Sequence, residues 1–244
     1  MSDSPAAKAL LETFGHIVII NLPERQDRRR AIEAELSKAG IAPGHPAVTF
    51  FRAIRPEEPG GFPAIGVRGA FLSHLGVMEM MLAKGWDRVL VLEDDMAFAP
   101  GALTRLPIVA AALSTRDWGI LYGHPGDRPQ HTPAADAQGL ITLPADLALI
   151  QLHFLGLTRM AAAQMVPQLQ AMLTREPGSA DGGPMHVDGA LNWIRRTTPD
   201  LIALAVSPAV AIQRSSRSDI AAARWFDRLP VIRTLTGLLR QMRA

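Results

Sequence analysis

Short apolar runs alternate with stretches of helical periodicity along this chain, the rhythm of a mixed α/β domain. The first run, residues 16–22 (HIVIINL), is compact and β-branched and predicts a buried strand. Over residues 24–39 the apolar positions Ile32, Leu36 and Ala39 sit on a polar background, and Gly40 closes a helix. Residues 48–54 predict a second strand, and 56–63, rich in proline and glycine, a loop. Apolar positions from Phe71 to Leu82 predict a helix over 70–84, entered from a turn at 66–69 and capped by Gly85. Residues 88–92 (RVLVL) form a third buried strand running straight into Glu93, Asp94 and Asp95. Residues 118–122 predict strand, 123–138 an exposed loop, 148–158 a region containing strand, and 159–173 a helix. A mobile loop by composition at 174–184, a short helix at 187–195 and a last strand at 202–206 follow.

The order strand, helix, strand, helix, strand, acidic turn predicts an α/β fold with a mostly parallel central sheet flanked by helices. Such sheets bind ligands outside the carboxyl ends of their strands. Asn21, Arg25, Asp27 and the Glu93–Asp95 cluster all follow strands at that edge. No repeat or long linker divides the chain, so one domain over residues 1–223 with an extension at 224–244 is expected. From Pro230 the extension reads as an amphipathic helix: Val231, Leu235, Leu238 and Met242 share one face, Arg233, Arg240 and Arg243 the other. Such a helix either packs on its own domain or lies on an anionic membrane surface.

Composition narrows the classes. The chain is 48% hydrophobic with mean hydropathy +0.12, enough for a sizeable core and against global disorder. Absence of cysteine excludes disulfides, thiolate zinc sites and cysteine nucleophiles. A net charge of +2 does not suit a nucleic-acid protein, which needs a clustered basic face. From Arg214 onward the count is net +5, so the preceding body is net acidic. Residues 1–14 lack the basic-then-apolar order of a secretory signal, and no apolar run approaches a membrane span. The expected location is cytoplasmic, with possible contact at the inner face of the cytoplasmic membrane.

Three adjacent carboxylates at a strand end repel one another, which a hard divalent ion, Mg2+ or Mn2+, relieves while bridging to phosphate. In an extended segment Glu93 and Asp95 point to one side and Asp94 to the other, so that one side meets the metal and the other a sugar hydroxyl or a neighbouring backbone. The plain alternative is a solvated loop capping the helix after Pro100. At the first strand–helix turn, Arg25 and Arg28 lie three apart and suit an anion, while Asp27 suits an N-cap or a ribose contact. Ser73 and His74 are helical neighbours that do not face each other, which excludes a Ser–His nucleophile pair. Asp188, at a helix start, suits an N-cap or a general base. The polar, basic segment 213–219 suits a phosphate-covering strap or a linker.

The matches Asn21, Leu22, Arg25, Asp27 and Arg28, then Gly69, Leu72, Ser73 and His74, then Leu92 with Glu93–Asp95 resemble glycosyltransferase family 25 in order and spacing. That family includes lipopolysaccharide (lipooligosaccharide) galactosyltransferases and collagen galactosyltransferase domains. Coverage is good over residues 17–95 and looser afterwards, where Val187-Asp188 and Pro208, Gln213 and Ser218-Asp219-Ile220 match later motifs. Ala70 replaces the family's usual Cys, and Val67 stands where an acidic residue is common.

The resemblance implies a GT-A-like, Rossmann-type domain that transfers a hexose, galactose or glucose, from a UDP-sugar with inversion. The acceptor would be a glycan or lipid-linked saccharide in lipopolysaccharide or other cell-surface glycan assembly. It implies Mn2+ or Mg2+ on Glu93 and Asp95. Donor contacts would come from Asn21, Leu22, Arg25, Asp27, Arg28, Ala53, Ser73, His74, Asp94, Gln213 and Arg214, and the base would be Asp188. A metal-dependent nucleotidyltransferase or phosphohydrolase, or a non-catalytic nucleotide-sugar-binding scaffold, are the alternatives.

Overall fold

A computed structural model describes residues 4–126 and 133–214. The elements run α1 (Pro5–Phe14), β1 (Ile17–Asn21), α2 (Gln26–Lys38), β2 (Val48–Arg52), α3 (Ile65–Ala83), β3 (Arg88–Glu93), β4 (Met96–Phe98) and α4 (Ala102–Leu113). They continue with β5 (Ile120–Tyr122), β6 (Leu140–Thr142), β7 (Phe154–Thr158), α5 (Arg159–Thr174), α6 (Val187–Thr197), β8 (Ala203–Val206) and β9 (Ala211–Gln213).

Seven strands form one sheet in the order β2-β1-β3-β7-β5-β8-β6. β1, β2, β3, β5 and β8 point the same way; β7 and β6 run against them. Side-chain alternation divides the core into two layers. Val18, Val89, Val91, Leu155 and Leu157 meet α3, α5 and α6 on one face. Ile17, Ile19, Leu90, Leu92 and Leu204 meet α1, α2 and α4 on the other. The α/β class and the flanking helices are as expected from sequence. No helix among the described residues is long and apolar enough to cross a membrane.

Several local readings are corrected. α1 carried no strong sequence signal; Ser4 caps it by accepting from the Ala6 amide at 3.3 Å, and its apolar stripe packs on α4. α3 begins at Ile65 rather than residue 70, so the expected turn at 66–69 is helical. Glycine is a poor helix former, but here it is required by proximity: a Cβ on Gly69 would lie 2.6 Å from the Ile54 carbonyl oxygen. β3 ends at Glu93, and Asp94-Asp95 turn into β4, so strand alternation does not orient the acidic triplet. β4, β6 and β9 are three-residue strands too short to leave a periodic signature. β4 and β9 pair antiparallel, Met96 opposite Gln213, and bring the chain back over the acidic turn. The extension at 224–244, its amphipathic helix and Ser218-Asp219 lie outside the described residues, as does part of the 123–138 loop.

Candidate active site at the carboxyl edge of the sheet

β1 and β3 lie side by side with Ile20 opposite Glu93, so Asn21 and the acidic turn emerge together at the carboxyl edge. A cavity of about 460 Å³ opens there, between the β1–α2 turn, the segment after β2, the first turns of α3 and Gln213 of β9. Leu22, Arg25, Arg28, Ala53, Ser73, His74, Glu93, Asp94, Asp95 and Gln213 line it.

Asp94 is the knot of this site. Asn21 Nδ2 donates to Asp94 Oδ2 at 2.8 Å, and Arg28 Nη1 donates to Asp94 Oδ1 at 2.9 Å. Both carboxylate oxygens are therefore engaged by groups from the β1–α2 turn, which Asp94 orients. Arg28 Nη1 also stands 3.7 Å from Asp95 Oδ2, to which Gln213 Nε2 donates at 3.1 Å. Arg214 lies outside the cavity lining. It closes the turn from behind, its amide donating to the Asp95 carbonyl at 2.8 Å and its guanidinium to the Asp94 carbonyl at 2.8 Å.

Asp95 is the carboxylate left incomplete. Its Oδ1 is buried and accepts no hydrogen bond from any described residue. Burial and the charge of Glu93 push its carboxyl up to about 6, against the pull of Gln213 and Arg28. A buried carboxylate oxygen without a donor is costly unless a cation meets it. Glu93 behaves differently. Burial raises its carboxyl, but the hydrogen bond from His74 and the charges of His74, His153 and Arg28 leave it below the usual range. His74 is 2% exposed, with Nε2 at 3.2 Å from Glu93 Oε1. Among the described residues, no three or more His, Asp or Glu side chains gather as a metal-ligand set.

Other sequence candidates have structural employment. Ser73 Oγ donates to the Gly69 carbonyl at 2.7 Å and accepts from the Ile54 amide at 2.8 Å, fixing the wall that contains Ala53. Arg25, the N-cap of α2, holds Asp27 through two bonds of 3.0 Å. Asp27 is 62% exposed and outside the cavity lining, and this bond from Arg25 lowers its carboxyl to about 2.

Asp188 also lies outside that cavity, in the first turn of α6, where His186 is the N-cap. Its Oδ1 accepts from the Gly189 amide at 2.8 Å, and its charge acts on the buried Tyr122 hydroxyl at the end of β5. This second flank contains groups that sequence reasoning missed. Arg195, 1% exposed, donates to the Leu147 carbonyl at 2.9 Å and to the Pro144 carbonyl at 2.6 Å. Asn192 exchanges two bonds with the Leu149 backbone. The rings of His124 and His153 stack at 5.1 Å. Their only sequence signal was polarity beside an apolar run.

No protein-family model matches the chain. It is 30% identical over 148 residues to a glycosyltransferase 25 family member of Drosophila pseudoobscura pseudoobscura, covering 53% of this chain and 24% of that protein. A glycosyltransferase 25 family member of Aedes aegypti is 30% identical over 129 residues, covering 44% and 20%. The human protein named inactive glycosyltransferase 25 family member 3 is 26% identical over 239 residues, covering 88% and 38%. The chain thus spans between 20% and 38% of the length of these curated relatives. A solved glycosyltransferase involved in glycosylation of the major capsid of PBCV-1 aligns over 79% of this chain and 92% of that chain. Its TM-score is 0.37 at 10% identity, too low to bear weight. By sequence, the chain is similar to the glycosyltransferase 25 family.

Proposed function

We propose that the chain is a glycosyltransferase that moves a hexose, galactose or glucose, from a UDP-sugar to a glycan or lipid-linked saccharide with inversion. Its setting would be lipopolysaccharide or other cell-surface glycan assembly at the inner face of the cytoplasmic membrane. The observation that carries this reading is Asp95, whose buried Oδ1 has no hydrogen-bond partner among the described residues, beside Arg28 in a cavity large enough for a nucleotide sugar. Carboxylate oxygens suit a hard divalent cation: Asp95, with Glu93 beside it, would hold Mn2+ or Mg2+. Such an ion neutralises the diphosphate when bound.

The chain's own groups do the rest. Asp94 holds Arg28 at the cavity wall, where its charge faces the diphosphate. Leu22, Ala53 and Ile54 supply an apolar wall for the nucleoside. Asp188 takes the acceptor hydroxyl's proton as that oxygen attacks the anomeric carbon, and the sugar–diphosphate bond breaks with its electron pair leaving on UDP. The base must stand on the acceptor side, and Asp188 lies off the donor cavity on α6.

One relative's name, inactive, favours a second reading, a nucleotide-sugar-binding scaffold. A thermal-shift screen of UDP-sugars with and without Mn2+, followed by product analysis, tests both. Metal-dependent stabilisation with sugar transfer is expected; stabilisation without turnover supports the scaffold. Nucleotide turnover without transfer to a sugar supports a phosphohydrolase or nucleotidyltransferase, and no response to any nucleotide sinks the donor reading.

A further inference from the structure

β7 runs antiparallel to β3, so the residues preceding Phe154 arrive at the same edge as the acidic turn, and the His153 carbonyl accepts from the Glu93 amide at 3.2 Å. Two positions earlier stands Gln151, with φ of 77°, the one non-glycine residue with positive φ among the described residues. This conformation is unfavourable for a long side chain; glycine or asparagine would hold it with less strain. It persists because the loop around it is held at several points. His124 Nδ1 accepts from the Gly126 amide at 3.0 Å, which leaves Nε2 protonated to donate to the Gln151 carbonyl at 3.1 Å. Asn192 and the fully buried Arg195 hold the backbone at 144, 147 and 149. Leu149 and Leu152 are buried on either side, while Ile150 between them is 54% exposed. Gln151 is half-buried, and its side-chain amide makes no hydrogen bond to any described residue.

Among the described residues Arg195 has no carboxylate partner, an expensive way to hold a loop, and the loop it holds presents an apolar side chain beside an amide with no partner among those residues. Resting on the glycosyltransferase reading above, we propose that Ile150 and Gln151 form the acceptor subsite and take a pyranoside. The isoleucine covers the C–H face of the ring, and the amide, donor and acceptor in one group, pairs with adjacent hydroxyls. Asp188, Asn192 and Arg195 follow one another at helical i, i+4, i+7 spacing. The α6 face that grips this loop therefore also carries the proposed base, so the held acceptor and Asp188 belong to one rigid unit.

The test is a saturation-transfer NMR titration of the full chain, saturated with UDP and Mn2+, using p-nitrophenyl β-galactoside and p-nitrophenyl β-glucoside as probes. Wild type is expected to bind one of them saturably. Gln151→Gly relieves the backbone strain while deleting the amide, so its melting temperature should hold or rise while probe affinity falls about tenfold. Gln151→Asn, tolerant of the same conformation but shorter, should fall between the two. Equal affinity in wild type and Gln151→Gly overturns the inference, as does the absence of saturable binding of either probe to wild type. UDP affinity, titrated separately into the same proteins with Mn2+, separates the two readings: its absence in wild type sinks the donor site and leaves the hexoside comparison, run without UDP, to decide the loop.

Discussion

On the β1–α2 flank of the acidic turn, charges are arranged around space, whereas on the α6 flank they are arranged around backbone. Arg28 meets carboxylates at the wall of an open cavity, and one Asp95 oxygen has no partner among the described residues. Arg195 meets carbonyls, the Asn192 side chain and the Tyr122 ring. The difference separates two uses of a buried cation. One tunes neighbouring carboxylates at a cavity wall; the other replaces secondary structure in a loop that has none, by satisfying its carbonyls.

The largest expected effect lies on the α6 flank. Asp188→Asn should cut sugar transfer at least about 100-fold while UDP binding persists, the scale of a lost general base. Comparing transfer rates with nucleotide affinity by calorimetry checks it, and full transfer would remove Asp188 as base. On the other flank, Arg28→Ala leaves Asp94 short of its cation. It should lower stability by about 3 kcal/mol in urea unfolding and weaken UDP binding at least about tenfold. Pairing it with Asp94→Asn should recover part of the stability, because the orphaned charge goes with it.

A smaller effect sharpens the role of Asp95. Its folded pKa of about 6 lies above the ordinary 3.8, so the folded chain binds a proton more readily than the unfolded one between these values. Stability contributed at this position is therefore greatest near pH 4 and falls as pH rises toward 6. Without metal, Asp95→Asn should lack that slope and be more stable than wild type at pH 7 by roughly 2 kcal/mol. Urea midpoints across pH 4 to 7 for the two proteins test it, and parallel profiles would contradict the assigned strain.

The two flanks were unequally legible in sequence. The donor side announces itself because Asn21, Arg28 and Asp94 follow strong β-branched runs, and strand ends are where α/β sheets place ligands. What pairing each makes was hidden, since Glu93–Asp95 looks extended in sequence and becomes a turn only when β4 finds β9 across more than a hundred residues. The α6 flank leaves almost no trace. Arg195 reads as one arginine among many on a helix end, and Gln151 as an ordinary loop residue; burial of the first and the backbone of the second arise from tertiary packing. α3 shows propensity misleading outright, because Gly66 and Gly69 read as a turn and are helical where the helix crosses the Ile54 backbone.

Asp95 is the carboxylate proposed to make nucleotide binding depend on a cation. Calorimetric titration of UDP into wild type and Asp95→Asn, each with and without Mn2+, measures this directly. Mn2+ should strengthen UDP binding to wild type by at least about tenfold and leave the variant unchanged. Equal enhancement by Mn2+ in both proteins would contradict it.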